Sequence, residues 1–173
     1  PIVMKTTIYA VIIFLLCPIF AISQNSIDDY KKIVDTTSNK QLKLSSLDSL
    51  ISLQRKEKNL DLSAKYTEEY IDLALSMEEY DLAIEIVINQ FYMINIQLGQ
   101  PERVLRLIEL VEPHLEKIDD SYLKGGIYLK KGGGYFNGKS YDKSIEYYSK
   151  AIELYSDKDS IYKADAILIP RRR

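Results

Sequence analysis

The spacing of the apolar residues constrains this chain more than any other feature. From Ser26 onward they recur every three or four positions instead of alternating, the period of helices that bury one face. Leu42, Leu44, Leu47, Leu50, Ile51 and Leu53 mark one stripe, and Tyr66, Tyr70, Ile71, Leu73 and Leu75 mark the next, with Ala74 at a narrow contact. Leu82, Ile86, Phe91, Ile94 and Leu98 continue the pattern, followed by Val104, Leu107, Ile108, Val111 and Leu115. The breaks between stripes are short and polar: Ser38-Asn39, Lys58-Asn59, Met77-Glu78-Glu79, Gly99-Gln100-Pro101 and Asp119-Asp120-Ser121. Pro101 falls where a first helical turn tolerates proline, and Gly99 where the preceding helix must stop. The pattern predicts helices over 27–37, 40–57, 60–76, 80–98, 101–117, 121–137 and 141–156, with another starting at 159. Connections this short turn consecutive helices antiparallel. Only 7 glycines and 5 prolines punctuate the 173 residues, too few for a many-stranded β fold. The expected class is all-α.

Internal repetition sharpens that expectation. Gly125 to Lys158 carries Tyr128, Gly132 and Tyr135 on a first helix, then Tyr141, Ser144, Tyr148 and Ala151 on a second. This unit resembles the tetratricopeptide repeat (TPR) family, in which small residues at the helix crossing let two helices approach while aromatic rings fill the gaps beside them. Lys131 stands where that family favours leucine, and Ser156 where it favours proline. A second unit, phased by Gly99, places Val104, Ile108 and Val111 on its second helix, with Tyr92 and Asn95 where the family has glycine and tyrosine. A third pair, 40–57 with 60–76, fits by period and length. The resemblance implies a right-handed superhelical array of antiparallel helix pairs, a TPR-like α-solenoid.

The N-terminus reads as an address. Met4-Lys5 opens a basic start, Ile8 to Phe20 is apolar, and Ala21-Ile22-Ser23 supplies small residues for cleavage, the three parts of a secretory signal. The apolar run is shorter than the roughly 20 residues that span a bilayer, and Pro18 interrupts its end. Three regions follow: 1–23, a signal peptide with a leader (Pro1-Ile2-Val3) ahead of Met4; 24–158, the helical repeats; and 159–173, a cut-off next repeat or frayed terminus. The expected location is exported, periplasmic or anchored in a membrane and facing the periplasm.

Several constellations that could carry chemistry have plainer explanations. Gly133-Gly134-Tyr135-Phe136-Asn137-Gly138-Lys139-Ser140 has the spacing G-x-x-x-x-G-K-[ST] of a phosphate-binding loop. Such a loop follows a buried strand, whereas Tyr128-Leu129-Lys130-Lys131-Gly132 precedes this one, and a multistranded nucleotide-binding sheet has no room in the 33 residues that remain. Gly138 ending one helix and Ser140 capping the next accounts for the same residues. In the run Gly132-Gly133-Gly134 close packing explains one glycine, leaving the other two as tolerated drift or as backbone exposed to a ligand. The single histidine, His114, and the single cysteine, Cys17, leave no Cys/His metal cage, so neither metal nor cofactor is expected. Glu68-Glu69 and Glu78-Glu79 are neighbours that face different ways on a helix, and no catalytic set emerges. With 23 Lys and Arg against 25 Asp and Glu, the chain also lacks the basic excess of a nucleic-acid binder.

In the TPR family the first helices line a concave face that holds peptides or partner proteins. That resemblance assigns Leu129, Gly133, Phe136 and Asn137 to the inner stripe of the strong unit, and Asn89, Met93, Ile96 and Gln97 to that of the weaker one. The lysine and asparagine that clamp a C-terminal carboxylate in one subset of the family are replaced here by Leu129 and Gly133. The expected function is a non-catalytic module that binds a protein or peptide. The alternative is the outer sensing part of a longer membrane signal transducer, with membrane contact confined to the signal segment or to a further C-terminal part.

Overall fold

The computed structural model describes residues 26–155. The signal segment assigned to 1–23, with Cys17, and the segment 159–173 lie outside the described residues. Among the described residues every regular element is helical, and no helix is long and apolar enough to cross a membrane.

Seven helices follow one another, α1 (26–36), α2 (Lys40–Lys56), α3 (Leu60–Ser76), α4 (Tyr80–Tyr92), α5 (Pro101–Val111), α6 (Ser121–Asn137) and α7 (Tyr141–Leu154). Their starts have local causes. Asn39 accepts a hydrogen bond from the Leu42 N–H at 3.0 Å, and Asp120 accepts from Tyr122 and Leu123, so the free amides of two first turns are satisfied by side chains. Pro101, which has no N–H to satisfy, opens α5.

The stretches 80–98 and 101–117 are not single α-helices. α4 widens into a π turn over Met93–Gln97, where the Leu98 N–H reaches the Met93 carbonyl at 2.9 Å. α5 tightens into a 3-10 segment over Glu112–Lys117. Pro113 is its second residue; inside an α-helix its ring would collide with the carbonyl four residues back, and the tighter winding avoids that.

Three connections repeat one design. Lys58, Glu78 and Lys139 each adopt a left-handed φ of 61–62° just after a helix. In each case the next N–H bonds back to a carbonyl five residues earlier: Asn59 to Gln54 (2.8 Å), Glu79 to Ala74 (3.0 Å) and Ser140 to Tyr135 (2.8 Å). The left-handed residue itself bonds three back, closing the last turn of the helix. Gly99 takes the same conformation (φ 65°), but its follower Gln100 bonds six back, to Ile94, because the π turn adds a residue.

Most buried side chains, from Ile27 through Ile127, form one continuous core to which α1 to α6 contribute. Leu129, Tyr148, Ala151 and Tyr155 form a second, smaller cluster between α6 and α7. α4 packs against α3, α5 and α6, and α7 packs mainly on α6.

The glycines of α6 make these contacts possible. A Cβ on Gly132 would lie 2.7 Å from the Tyr148 ring, and one on Gly125 would lie 2.7 Å from the Tyr155 ring. On the adjoining face, a Cβ on Gly126 or Gly133 would meet Ile88 or Phe91 of α4, at 2.7 and 2.8 Å. Gly134 approaches Leu105 of α5 in the same way, at 2.8 Å. Gly133 and Gly134 are therefore neither drift nor exposed backbone. Two Gly-Gly pairs, seven residues apart, point the same two helix faces at the same two neighbours.

Lys131 completes the joint. Only 5% exposed, it donates to Glu112 Oε2 at 2.5 Å and lies 4.4 Å from the centre of the Tyr147 ring. Burial disfavours its charge, but the bonds to Glu112 and Tyr147 outweigh that and hold its pKa above the usual lysine value.

Candidate functional site

α4 and its π turn border a solvent-accessible cleft. Asn89, Tyr92, Met93 and Gln97 lie at helical spacing and line one wall of a cleft of about 540 Å³. The facing wall is the end of α2 and the start of α3: Arg55, Lys56, Lys58 and Leu60. Tyr92, which lines the cleft, is 62% exposed, and Ile96, one turn further on, is 46% exposed. Met93 differs from its neighbours. It is 2% exposed and belongs to the core, so it forms floor rather than contact surface.

The cleft exists because of how its walls end. The left-handed Lys58 reverses the chain after α2 and holds the Lys58 side chain beside Arg55 and Lys56. Arg55 and Lys56 occupy the last turn of α2, where cations complement the partial negative charge of free carbonyls. None of α3 to α7 has a basic residue in its last turn. This cationic group, with Tyr92, is the part of the site that the sequence reading missed. The signal was the run Arg55-Lys56-Glu57-Lys58, read there as the end of helix 40–57 and the start of a polar break.

The other assigned stripe, on α6, is mostly covered. Leu129 is buried in the α6–α7 cluster, and Gly133 is closed by Phe91. Both were expected on an open face; neighbouring rings occupy that space instead. Phe136 is half-buried, with its ring 5.7 Å edge-on from Tyr141, and Asn137 is exposed at the last position of α6. The structure thus brings Asn89, Met93 and Gln97 together and leaves Phe136 and Asn137 apart on another helix.

Of the residues assigned to packing, Ser144, Tyr148 and Ala151 are buried and Gly132 sits under the Tyr148 ring. Tyr128 and Tyr135 stack on either side of Tyr147, with ring centres 6.2 and 5.5 Å away. Tyr141 departs from that role and is 54% exposed.

The residues with phosphate-loop spacing form no loop. Gly133 to Asn137 are the last turns of α6. The N–H groups of Gly138, Lys139 and Ser140 bond to the carbonyls of Gly134, Phe136 and Tyr135. Amides held this way are not turned toward a phosphate. His114 lies in the 3-10 segment with its ring stacked on Tyr80, the ring centres 4.8 Å apart, and Lys117 donates to the Tyr80 hydroxyl at 2.8 Å. Among the described residues no three His, Cys, Asp or Glu side chains gather around a point that could hold a metal.

A second groove, of about 560 Å³ between α3 and α5, is also charged, and one of its two arginines is held by carboxylates. Arg103 Nε donates to Glu68 at 2.7 Å, and Arg103 Nη1 lies 3.8 Å from Asp61. The α2–α4 cleft is different: among the described residues Arg55, Lys56 and Lys58 make no ion pair or side-chain hydrogen bond, and no carboxylate lines it. Comparison with known proteins finds no family model that matches the chain and no curated protein that matches it.

Proposed function

We propose that this chain is a non-catalytic, TPR-like helical-repeat module that holds a protein or peptide partner and is exported by the signal at 1–23. The observation that carries the reading is that Asn89, Tyr92 and Gln97 line one cleft together, with exposed Ile96 beside them on the same helical stretch. Exposed tyrosine beside amide side chains is the composition of surfaces that bury an aromatic anchor and hydrogen-bond a partner's backbone. The recurring helix-ending turn and the small residues at the crossings support the solenoid part of the proposal.

Photo-crosslinking tests the reading. A benzophenone amino acid placed at Tyr92 or Ile96 of the whole chain should capture a discrete partner from the native host. One placed at Leu110, exposed on α5 at the α3–α5 groove, should capture none or others. Equal capture from all three positions would count against the assigned face.

A further inference from the structure

The α2–α4 cleft carries a specificity of its own. Its three cations stand within one turn of chain, on a molecule whose formal charge is −2. Helix-end electrostatics explains Arg55 and Lys56 only in part, because the other long helices manage without basic last turns, and Lys58 lies beyond the helix altogether. In the α3–α5 groove the cations share their walls with Glu68, Asp72 and Glu109, and Arg103 is paired. In the α2–α4 cleft they stay unpaired among the described residues, opposite Tyr92 and the amides of Asn89 and Gln97.

We infer that the cleft takes an acidic peptide segment. Its carboxylates pair with Arg55, Lys56 and Lys58, a neighbouring apolar side chain rests on Tyr92, and Asn89 and Gln97 bond its backbone. Charge complementarity selects this occupant: a basic segment would face three like charges, and a purely apolar one would leave them unanswered. The inference rests on the peptide-binding reading above and narrows it to one class of partner.

The test uses the whole chain and three fluorescein-labelled pools of short peptides, identical in their apolar positions and carrying glutamate, lysine or serine elsewhere. Fluorescence anisotropy should show binding of the glutamate pool that weakens as salt is raised, with little binding of the lysine pool. The double reversal Arg55→Glu/Lys58→Glu should lower that affinity about tenfold or more, whereas the remote reversal Lys139→Glu should leave it within about twofold. Lys58→Glu is compatible with the fold because Glu78 occupies the equivalent left-handed position one turn later in the array. Arg55→Gln/Lys58→Gln provides a milder version whose helix content by circular dichroism should match that of the parent.

If the serine pool binds as well as the glutamate pool, the acidic specificity is overturned while peptide binding stands. Loss of binding by all three pools would overturn both. Equal effects of the two reversals would move the acidic site away from this cleft. Phosphatidylglycerol vesicles or inorganic phosphate that displace the tracer at lower charge concentration than unlabelled peptide would show that the cations serve phosphate, which also overturns the inference.

Discussion

The hairpins α2–α3 and α6–α7 reach the same geometry with different chemistry. Both close through a left-handed residue and the same pair of backward hydrogen bonds. Between α2 and α3 the narrow positions are filled by Ser63, Ala64 and Thr67, all completely buried, and the Ser63 hydroxyl donates to the Ile51 carbonyl at 2.9 Å. Between α6 and α7 the narrow positions are glycines, and tyrosine rings supply the bulk. Alanine and serine weaken a helix less than glycine does, and Ser63 adds a tie of its own. Each glycine in α6 costs about 1 kcal/mol of helix propensity relative to alanine, so α6 depends on what packs against it. The lesson is that a close crossing can be built either into a helix or onto it, and the second way concentrates stability in a few aromatic residues.

The strongest way to break that asymmetry is to remove one ring. Tyr148 is 3% exposed and covers Gly132, so Tyr148→Ala should destabilise the chain by about 4 kcal/mol, measured by urea unfolding. Gly132→Leu alone should cost about 3 kcal/mol by overpacking the same contact. Joined in one chain, the two should cost clearly less than their sum, because the leucine fills space the ring has left. Full additivity would mean that Gly132 and Tyr148 do not share one packing site.

The next largest effect depends on pH. Burial pushes the Tyr148 hydroxyl up to about 12, against an ordinary value near 10. The folded chain therefore holds this proton more tightly than the unfolded chain does. Its contribution is intact below pH about 10 and is lost as pH rises toward 12, by up to about 3 kcal/mol. Burial also raises Tyr66 and Tyr70 of α3, and the raised pKa of Lys131 acts in the same direction, so the parent will weaken in alkali for several reasons. Tyr148→Phe isolates one of them: its loss of stability between pH 9 and about 11 should be visibly shallower than the parent's. Parallel profiles would place Tyr148 in a wetter environment than the packing against Gly132 provides.

The positions of the helices were legible because a period of three to four apolar residues survives every break; α3 and α6 match their expected bounds of 60–76 and 121–137. The π turn at Met93–Gln97 was not, since one extra residue barely disturbs that period. The 3-10 segment was signalled by Pro113, but Leu115 continues the apolar stripe through it and hides the change of winding. The site was harder to read. Position in the resembled repeat assigns a residue to a helix face, and Asn89 and Gln97, assigned together, both line the α2–α4 cleft. It says nothing of what a neighbour lays on that face, and Phe91 over Gly133 is such a case. Lys131 shows the same limit, because only Glu112 and Tyr147, brought from two other elements, make a buried lysine stable at a position that suits leucine.

What the two hairpins share offers the smallest and cleanest test. Gly99 sits at φ 65° with nothing within 4 Å of where a Cβ would lie, so Gly99→Ala adds strain to the backbone and no contact. Its cost should be about 1 kcal/mol, the penalty for an L-residue in the left-handed region. Glu78 already bears that penalty at φ 61°. Glu78→Gly relieves it but loosens the unfolded chain, which offsets part of the gain and leaves the variant more stable by about 0.5 kcal/mol. Thermal unfolding of the pair should therefore move in opposite directions from the parent, alanine down and glycine up. Shifts of the same sign would mean that the turn conformation at these two junctions differs, and that the common geometry attributed to the hairpins stops at Lys58 and Lys139.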